Sequence, residues 1–222
     1  MCRFKSGIIL KNKVVVAPGE NDSHSDLLES LGIKDDYFGA TNVFVRAELV
    51  PVNDEWWIDP AEEPDKWRFV VDQDMRPEWF DESEHEKIFR EAVCGWWKEH
   101  VLVDQKLEEL SSGYYRLKRC EVKKLLNDVK VLLDSSQVGE MWDSSQVGEM
   151  RGSSQVGKMR DSSQVGEMWG SSQVGKMRDS SQVGEMWGRS TARDFKNWPN
   201  VKIWVSPEGT FEMVAHQNKS EE

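Results

Sequence analysis

Cys2 follows the initiator Met1. Removal of Met1 would leave an N-terminal cysteine whose amine and thiol lie close enough to act together as base and nucleophile, the chemistry of amide hydrolysis or covalent capture. The four histidines, His24, His85, His100 and His216, lack the spacing of a metal site, and no second histidine follows His85-Glu86 at the zincin interval. Asp72, Asp74 and Glu78 around Pro77 can be read as a carboxylate cluster for acid–base work, but a solvated turn between strand and helix explains them. The chain has no phosphate-cradling glycine loop, no Gly-x-Ser-x-Gly and no basic patch interleaved with aromatics. Neither a metal nor a cofactor is expected.

The strongest pattern lies elsewhere. Residues 152–169 recur letter for letter as 170–187. Each unit contains two nonapeptides, [D/G]-S-S-Q-V-G-[E/K]-M-[W/R], which run six times from Asp134 to Trp187. Nine residues cannot bury a core alone, and Gly, two Ser and a β-branched Val oppose a long helix. A β-solenoid of eighteen-residue coils is expected, in which equivalent side chains stack into ladders at the strand spacing of ~4.8 Å. Val and Met, three apart, cannot both point inward on a straight strand, so a bend is expected between them at Gly139, Gly148, Gly157, Gly166, Gly175 and Gly184. Val and Met ladders then form the core, with Ser and Gln lining or flanking it.

Taking alternate nonapeptides separates the variable positions into two faces. One carries Glu149, Glu167 and Glu185 with Arg151, Trp169 and Trp187; the other carries Glu140, Lys158 and Lys176 with Trp142, Arg160 and Arg178. The Trp and Arg ladders are a candidate binding surface, and the alternative is that the tryptophans only cover the rod or pack on the first domain.

Around the repeats, the chain divides into an α+β domain (1–115), a connection with a degenerate first repeat (116–133), the solenoid (134–188) and a C-terminal cap hairpin with a tail (189–222). In the first domain the pattern predicts strands over Arg3–Leu10 and Lys13–Ala17, and a helix capped by Ser23 or Ser25 and ended by Gly32. Further strands are expected over Asn42–Val52 and Trp67–Asp72, then a helix of roughly five turns opened by Asp81 and Glu84, with Phe89, Val93 and Trp97 in one stack. In the degenerate repeat, Val129, Leu132 and Leu133 are expected at the places later held by Val138, Met141 and Trp142. At the far end Val201–Val205 and Thr210–Val214 flank a Pro207 turn and form the cap.

Two resemblances bear on function. Met1-Cys2-Arg3-Phe4 resembles the opening of the SOS-response-associated peptidase family, and Val45-Arg46-Ala47-Glu48 is similar to its Asn-Ala-Arg-x-Glu stretch, with Arg46 and Glu48 at matching positions. This resemblance implies a Cys2 that links to abasic DNA, with Arg46 and Glu48 beside it. The family's Asn is absent, and so is its His-x-Arg-Met-Pro-like segment. The chain as a whole is similar to a group of uncharacterised bacterial and phage-type proteins. They share the Met1–Gly7 opening and the Val71–Trp79 stretch ahead of short Ser- and Val-containing repeats, which implies a mobile-element or gut-bacterial setting.

The 222 residues carry a net charge of −11 and are 38% hydrophobic with 11 Trp, sufficient for a packed core. Residues 1–133 hold 27 acids against 19 bases. That excess argues against a nucleic-acid backbone as partner, since binding one requires Lys and Arg to displace counterions. Mimicry of DNA needs negative charge along the rod, which the Lys and Arg ladders interrupt. No run approaches the ~20 apolar residues of a membrane span, and the start lacks a signal-peptide pattern. Three cysteines without C-x-x-C spacing indicate reduced thiols. The sequence therefore points to a cytoplasmic, non-enzymatic interaction protein that binds a protein partner or itself, with a Cys2 enzyme and a DNA mimic as alternatives.

Overall fold

The computed structural model describes residues 4–19 and 22–192, together with the backbone of Trp204–Val205. It divides into two compact units, at residues 1–100 and 101–222. The first is the expected α+β domain and the second contains the β-solenoid.

In the first unit, β1 (Lys5–Leu10), β2 (Lys13–Val16), β3 (Phe44–Pro51) and β4 (Trp67–Val71) form an antiparallel sheet in the order β2-β1-β3-β4. Helix α1 (His24–Ser30) is capped by the Ser23 hydroxyl, which accepts from the Asp26 N–H, and it is followed by Gly32 at φ +66°. The strand expected from Asn42 begins instead at Phe44, because a short helix α2 (Tyr37–Asn42) occupies the preceding residues, capped by Asp36 through the Gly39 N–H. Helix α3 (Glu82–His100) starts at Asp81, whose carboxylate accepts from the Glu84 N–H at 2.8 Å.

The central strand β3 is covered on both sides. Phe44 and Ile8 pack with Leu27 and Leu28 of α1, whereas Gly7 lies so close to Phe89 of α3 that a Cβ there would come within 2.7 Å of the ring. The buried face of α3 is His85, Phe89, Val93 and Trp96. Trp97, expected in that stack, is half-buried and donates its indole N–H to the Trp56 carbonyl at 2.9 Å.

The solenoid begins at Val101, ahead of both the residue-115 division and the recognisable repeats. Its strands alternate between two parallel sheets. One contains β6 (Lys106–Leu110), β8 (Glu121–Leu125), β10 (Gln137–Met141), β12 (Gln155–Met159), β14 (Gln173–Met177) and β16 (Thr191–Ala192). The other contains β5 (Val101–Val103), β7 (Tyr114–Lys118), β9 (Lys130–Asp134), β11 (Gln146–Arg151), β13 (Gln164–Met168), β15 (Gln182–Met186) and β17 (Trp204–Val205). In the repeats every residue pairs with its copy one coil on, Gln137 with Gln155 and then Gln173, which gives the eighteen-residue step. Upstream the coils are shorter: Lys106 pairs with Glu121 and Glu121 with Gln137. The cap hairpin lies outside the described residues, apart from the Trp204–Val205 backbone, which pairs in parallel with β15.

Val and Met of every repeat are buried, from Val138 and Met141 to Val183 and Met186, and form one core with Val122, Leu125, Val131 and Leu133. The degenerate repeat is registered differently from the expectation: Val131 pairs with Val147 and Leu133 with Met150. Its inward residues are two apart, as in an ordinary strand, and the register shift between Val147 and Glu149 absorbs the extra residue of the repeat.

That extra residue is the glycine, and its role differs from a left-handed corner. Gly139, Gly148, Gly157, Gly166, Gly175 and Gly184 lie within strands, and none has positive φ. The left-handed residues are instead Asp143, Asp161 and Asp179 at one corner and, at the other, Ser135 in the first repeat followed by Gly152, Gly170 and Gly188. The strand glycines allow close approach: a Cβ on Gly166 would lie 2.5 Å from the Gly148 carbonyl oxygen, and one on Gly184 2.4 Å from that of Gly166. Glu108 and Lys123 stand at this place upstream, and there the two side chains pair at 2.7 Å instead.

The second Ser of each repeat is buried, whereas Gln is exposed or half-buried. Ser136 donates to the Leu117 carbonyl at 3.0 Å and Ser154 to that of Arg151 at 2.6 Å. The hydroxyls of Ser145, Ser163, Ser172, Ser181 and Ser190 have no partner among the described residues. Cys120 and Val129 hold the same place upstream, since their carbonyls accept from Gln137 and Gln146 as those of Ser136 and Ser145 accept from Gln155 and Gln164. A small side chain without a hydroxyl therefore fits this slot, and an unmatched buried hydroxyl costs about 1–3 kcal/mol. Ser163→Ala is expected to stabilise the protein by ~1 kcal/mol, while Gly166→Ala, three residues on and inside β13, destabilises it by ~1–3 kcal/mol. Urea unfolding midpoints of the two variants moving in the same direction would contradict this packing.

Candidate functional site

The six candidate binding residues divide between the two sheets as the repeat pattern predicts. In one, Glu140 pairs with Lys158 and Lys158 with Lys176; in the other, Glu149 pairs with Glu167 and Glu167 with Glu185. Apart from the Glu140–Lys158 pair, like charges thus stand directly opposite one another across neighbouring strands, an arrangement that repels unless neighbours compensate.

The compensation differs between the faces. On the first, Lys158 Nζ lies 2.6 Å from Glu140 Oε1, and this contact, with Arg160 nearby, holds the Glu140 carboxyl below the usual carboxylate range. The Arg160 guanidinium lies 4.3 Å from the centre of the Trp142 ring, a cation–π contact. On the second, Arg151 pairs with Glu149 at 2.6 Å. The indole N–H groups of Trp169 and Trp187 donate to Glu167 and Glu185 at 2.9 and 3.2 Å. Those two rings stack face to face, with centroids 5.0 Å apart and planes 4° from parallel. Trp169 is 39% exposed. Arg151 is exposed, and Trp142, Arg160, Arg178 and Trp187 are half-buried.

The corner carboxylates form a third ladder. Asp161 Oδ2 accepts from the Asp143 N–H, and Asp179 Oδ2 from the Asp161 N–H, each at 3.3 Å. Each carboxylate is thereby used to join one coil to the coil before it.

In the first unit, Cys2 lies outside the described residues. Arg46 is not free to serve a thiol: its guanidinium pairs with the Asp35 carboxylate and lies 4.9 Å from the Phe44 ring centre, and its N–H donates to the Gln73 side chain at 2.8 Å. Glu48, on the same face of β3 two residues on, is buried at 7% exposure. Beside it stand two residues that sequence spacing does not connect with it, His24 at the start of α1 and Asp72 just past β4. His24 Nε2 lies 3.1 Å from the Ala47 carbonyl oxygen and Nδ1 3.4 Å from Asp72 Oδ2. One ligand atom from each of His24, Glu48 and Asp72 lies within 4.8 Å of the other two. Asp72, read from sequence as part of a solvated turn, is indeed 59% exposed, but its carboxylate faces this group.

Two thiols can be placed. Burial pushes the Cys120 thiol up, and it donates to the Leu102 carbonyl at 3.2 Å. The half-buried Cys94 is also raised, first by burial and then by the charge of Asp59. Both are therefore poor nucleophiles at neutral pH. Iodoacetamide treatment of the native protein, followed by intact-mass and peptide analysis, is expected to leave Cys120 unlabelled and to modify Cys94 slowly. Prompt labelling of Cys120 would contradict its burial.

Comparison with protein-family models, with curated proteins and with solved structures gives no match to this chain, so its own geometry is the ground for a functional reading.

Proposed function

We propose that the protein is a non-enzymatic interaction scaffold whose solenoid associates with copies of itself through faces of opposite charge, carrying the α+β domain as the element that recognises a partner. The observation that carries this reading is the inequality of the two faces. At the variable positions one face presents three carboxylates and one guanidinium, Glu149, Glu167, Glu185 and Arg151; the other presents four cations, Lys158, Lys176, Arg160 and Arg178, and the single carboxylate Glu140. Each face holds like charges in register, Lys158 with Lys176 on one and Glu149, Glu167 and Glu185 on the other, and a second copy turned face to face offsets both repulsions at once.

The aromatic residues supply the apolar part of such a contact. The Trp169–Trp187 stack offers a broad ring surface, and Arg178 on the opposite face is the type of group that seats on indole. Because the two surfaces are different, the contact is heterologous and propagates from copy to copy unless the rotation closes a ring.

Sedimentation velocity of the full chain at low and high salt tests this. Association is expected, weakening as salt screens the faces. Glu149→Lys/Glu167→Lys makes both faces positive and Lys158→Glu/Lys176→Glu makes both negative. Each variant is expected to remain monomeric alone, and an equimolar mixture to form a complex. A monomeric wild-type chain at every concentration, or a mixture that does not associate, would overturn the reading.

A further inference from the structure

We propose that His24, Glu48 and Asp72 bind a divalent first-row transition cation. Three independent features lead there. The first is the donor set: one imidazole nitrogen and two carboxylate oxygens within 4.8 Å of one another. Around a zinc-sized ion with bonds of ~2.1 Å, tetrahedral donors stand ~3.4 Å apart. His24 Nδ1 and Asp72 Oδ2 already stand at that spacing, 3.4 Å apart.

The second is the orientation of His24. A carbonyl oxygen can only accept, so the Nε2 contact to Ala47 places a hydrogen on Nε2 and directs Nδ1 toward the carboxylates. Metal-binding histidines are commonly held this way, with the remote ring N–H on a backbone carbonyl, which fixes the tautomer and the ring plane.

The third is Glu48 itself. It is more than nine-tenths buried on the central strand, and the hydrogen bonds and ion pairs of the described residues include none by its carboxylate. The nearby Arg46 guanidinium is held by Asp35. Directly opposite Glu48 in the β1–β3 register, and therefore on the same face, lies Ser6, fully buried, with a hydroxyl that has no partner among the described residues. A buried carboxylate beside a buried unmatched hydroxyl is costly unless a cation or donor meets them. A divalent ion between Glu48, His24 and Asp72 neutralises two carboxylates together.

The chemistry selects the class of ion. Imidazole with two carboxylates suits Zn²⁺, Co²⁺ or Fe²⁺ better than Mg²⁺ or Ca²⁺, which favour all-oxygen sets. Asp72 is 59% exposed, so an ion has a route from solvent and room for a water ligand on that side. The donors come from three elements already fixed by other contacts: α1 by the Ser23 cap, β3 by pairing on both edges, and Asp72 by its N–H to the Arg46 carbonyl at 2.9 Å.

The test is titration of the chelator-treated full chain with Co²⁺, followed by visible d–d absorption and by competition with Zn²⁺. One equivalent is expected to bind, and Glu48→Gln and Asp72→Asn are each expected to weaken binding by ~10-fold or more. Asp65→Asn, exposed in the short 3-10 helix before β4 and not a member of the group, serves as the control and leaves binding unchanged. Asp72 is largely exposed, so its variant decides the matter even if Glu48→Gln fails to fold. Absence of saturable one-equivalent binding, or binding that Asp72→Asn leaves intact, would overturn the proposal.

Discussion

Parallel, in-register pairing of each coil with the next is the constraint on which the solenoid depends. It places every residue of the repeat directly over its own copy eighteen residues away. A residue type that coheres with itself is rewarded in every coil, and one that repels itself is penalised in every coil. Val and Met form uninterrupted buried columns, each such side chain contributing on the order of 1.5–3 kcal/mol by removal from water. Trp on Trp gives a stacked pair. Glu on Glu and Lys on Lys are the unfavourable columns, relieved within the chain by Trp N–H groups, by Arg151 and by the Glu140–Lys158 pair.

Two devices let eighteen residues make one coil. Left-handed residues at the corners turn the chain from one sheet to the other, with Asp at one edge and Gly at the other. The strand glycines let the backbones of successive coils come together where a side chain would not fit. Asp at the corner adds a link that Gly cannot, since its carboxylate receives an N–H from the preceding coil. The alternation of Asp and Gly is therefore the same two-sidedness that separates the charged faces.

Much of the solenoid was legible from sequence because its signal is local and repeated: six copies state the same rule, and alternate copies state which residues share a face. Its upstream coils were less legible. Their inward residues change spacing from three, at Val122 and Leu125, to two, at Val131 and Leu133, so no single period describes them. The glycine position was found but its reason was not, since a close backbone approach leaves the same sequence mark as a turn. In the α+β domain the capped helices could be read, because Ser23 and Asp81 act within one turn. The His24–Glu48–Asp72 group could not. Its members come from the start of a helix, the middle of one strand and the end of another, and only the β3–β4 pairing together with the packing of α1 on the sheet brings them together. Arg46 and Glu48, two residues apart, looked like a functional pair; the fold gives one to Asp35 and buries the other beside a histidine.

The central claim is that the two unlike faces meet between copies. The most direct measurement uses two proteins in a Cys2→Ser background, one carrying Lys176→Cys on the basic face and the other Glu185→Cys on the acidic, Trp-bearing face, each reduced and then oxidised both separately and as a mixture. The account predicts that the mixed 176–185 disulfide forms fastest, with little 176–176 or 185–185 product. Like-face disulfides forming as fast as the mixed one would contradict it.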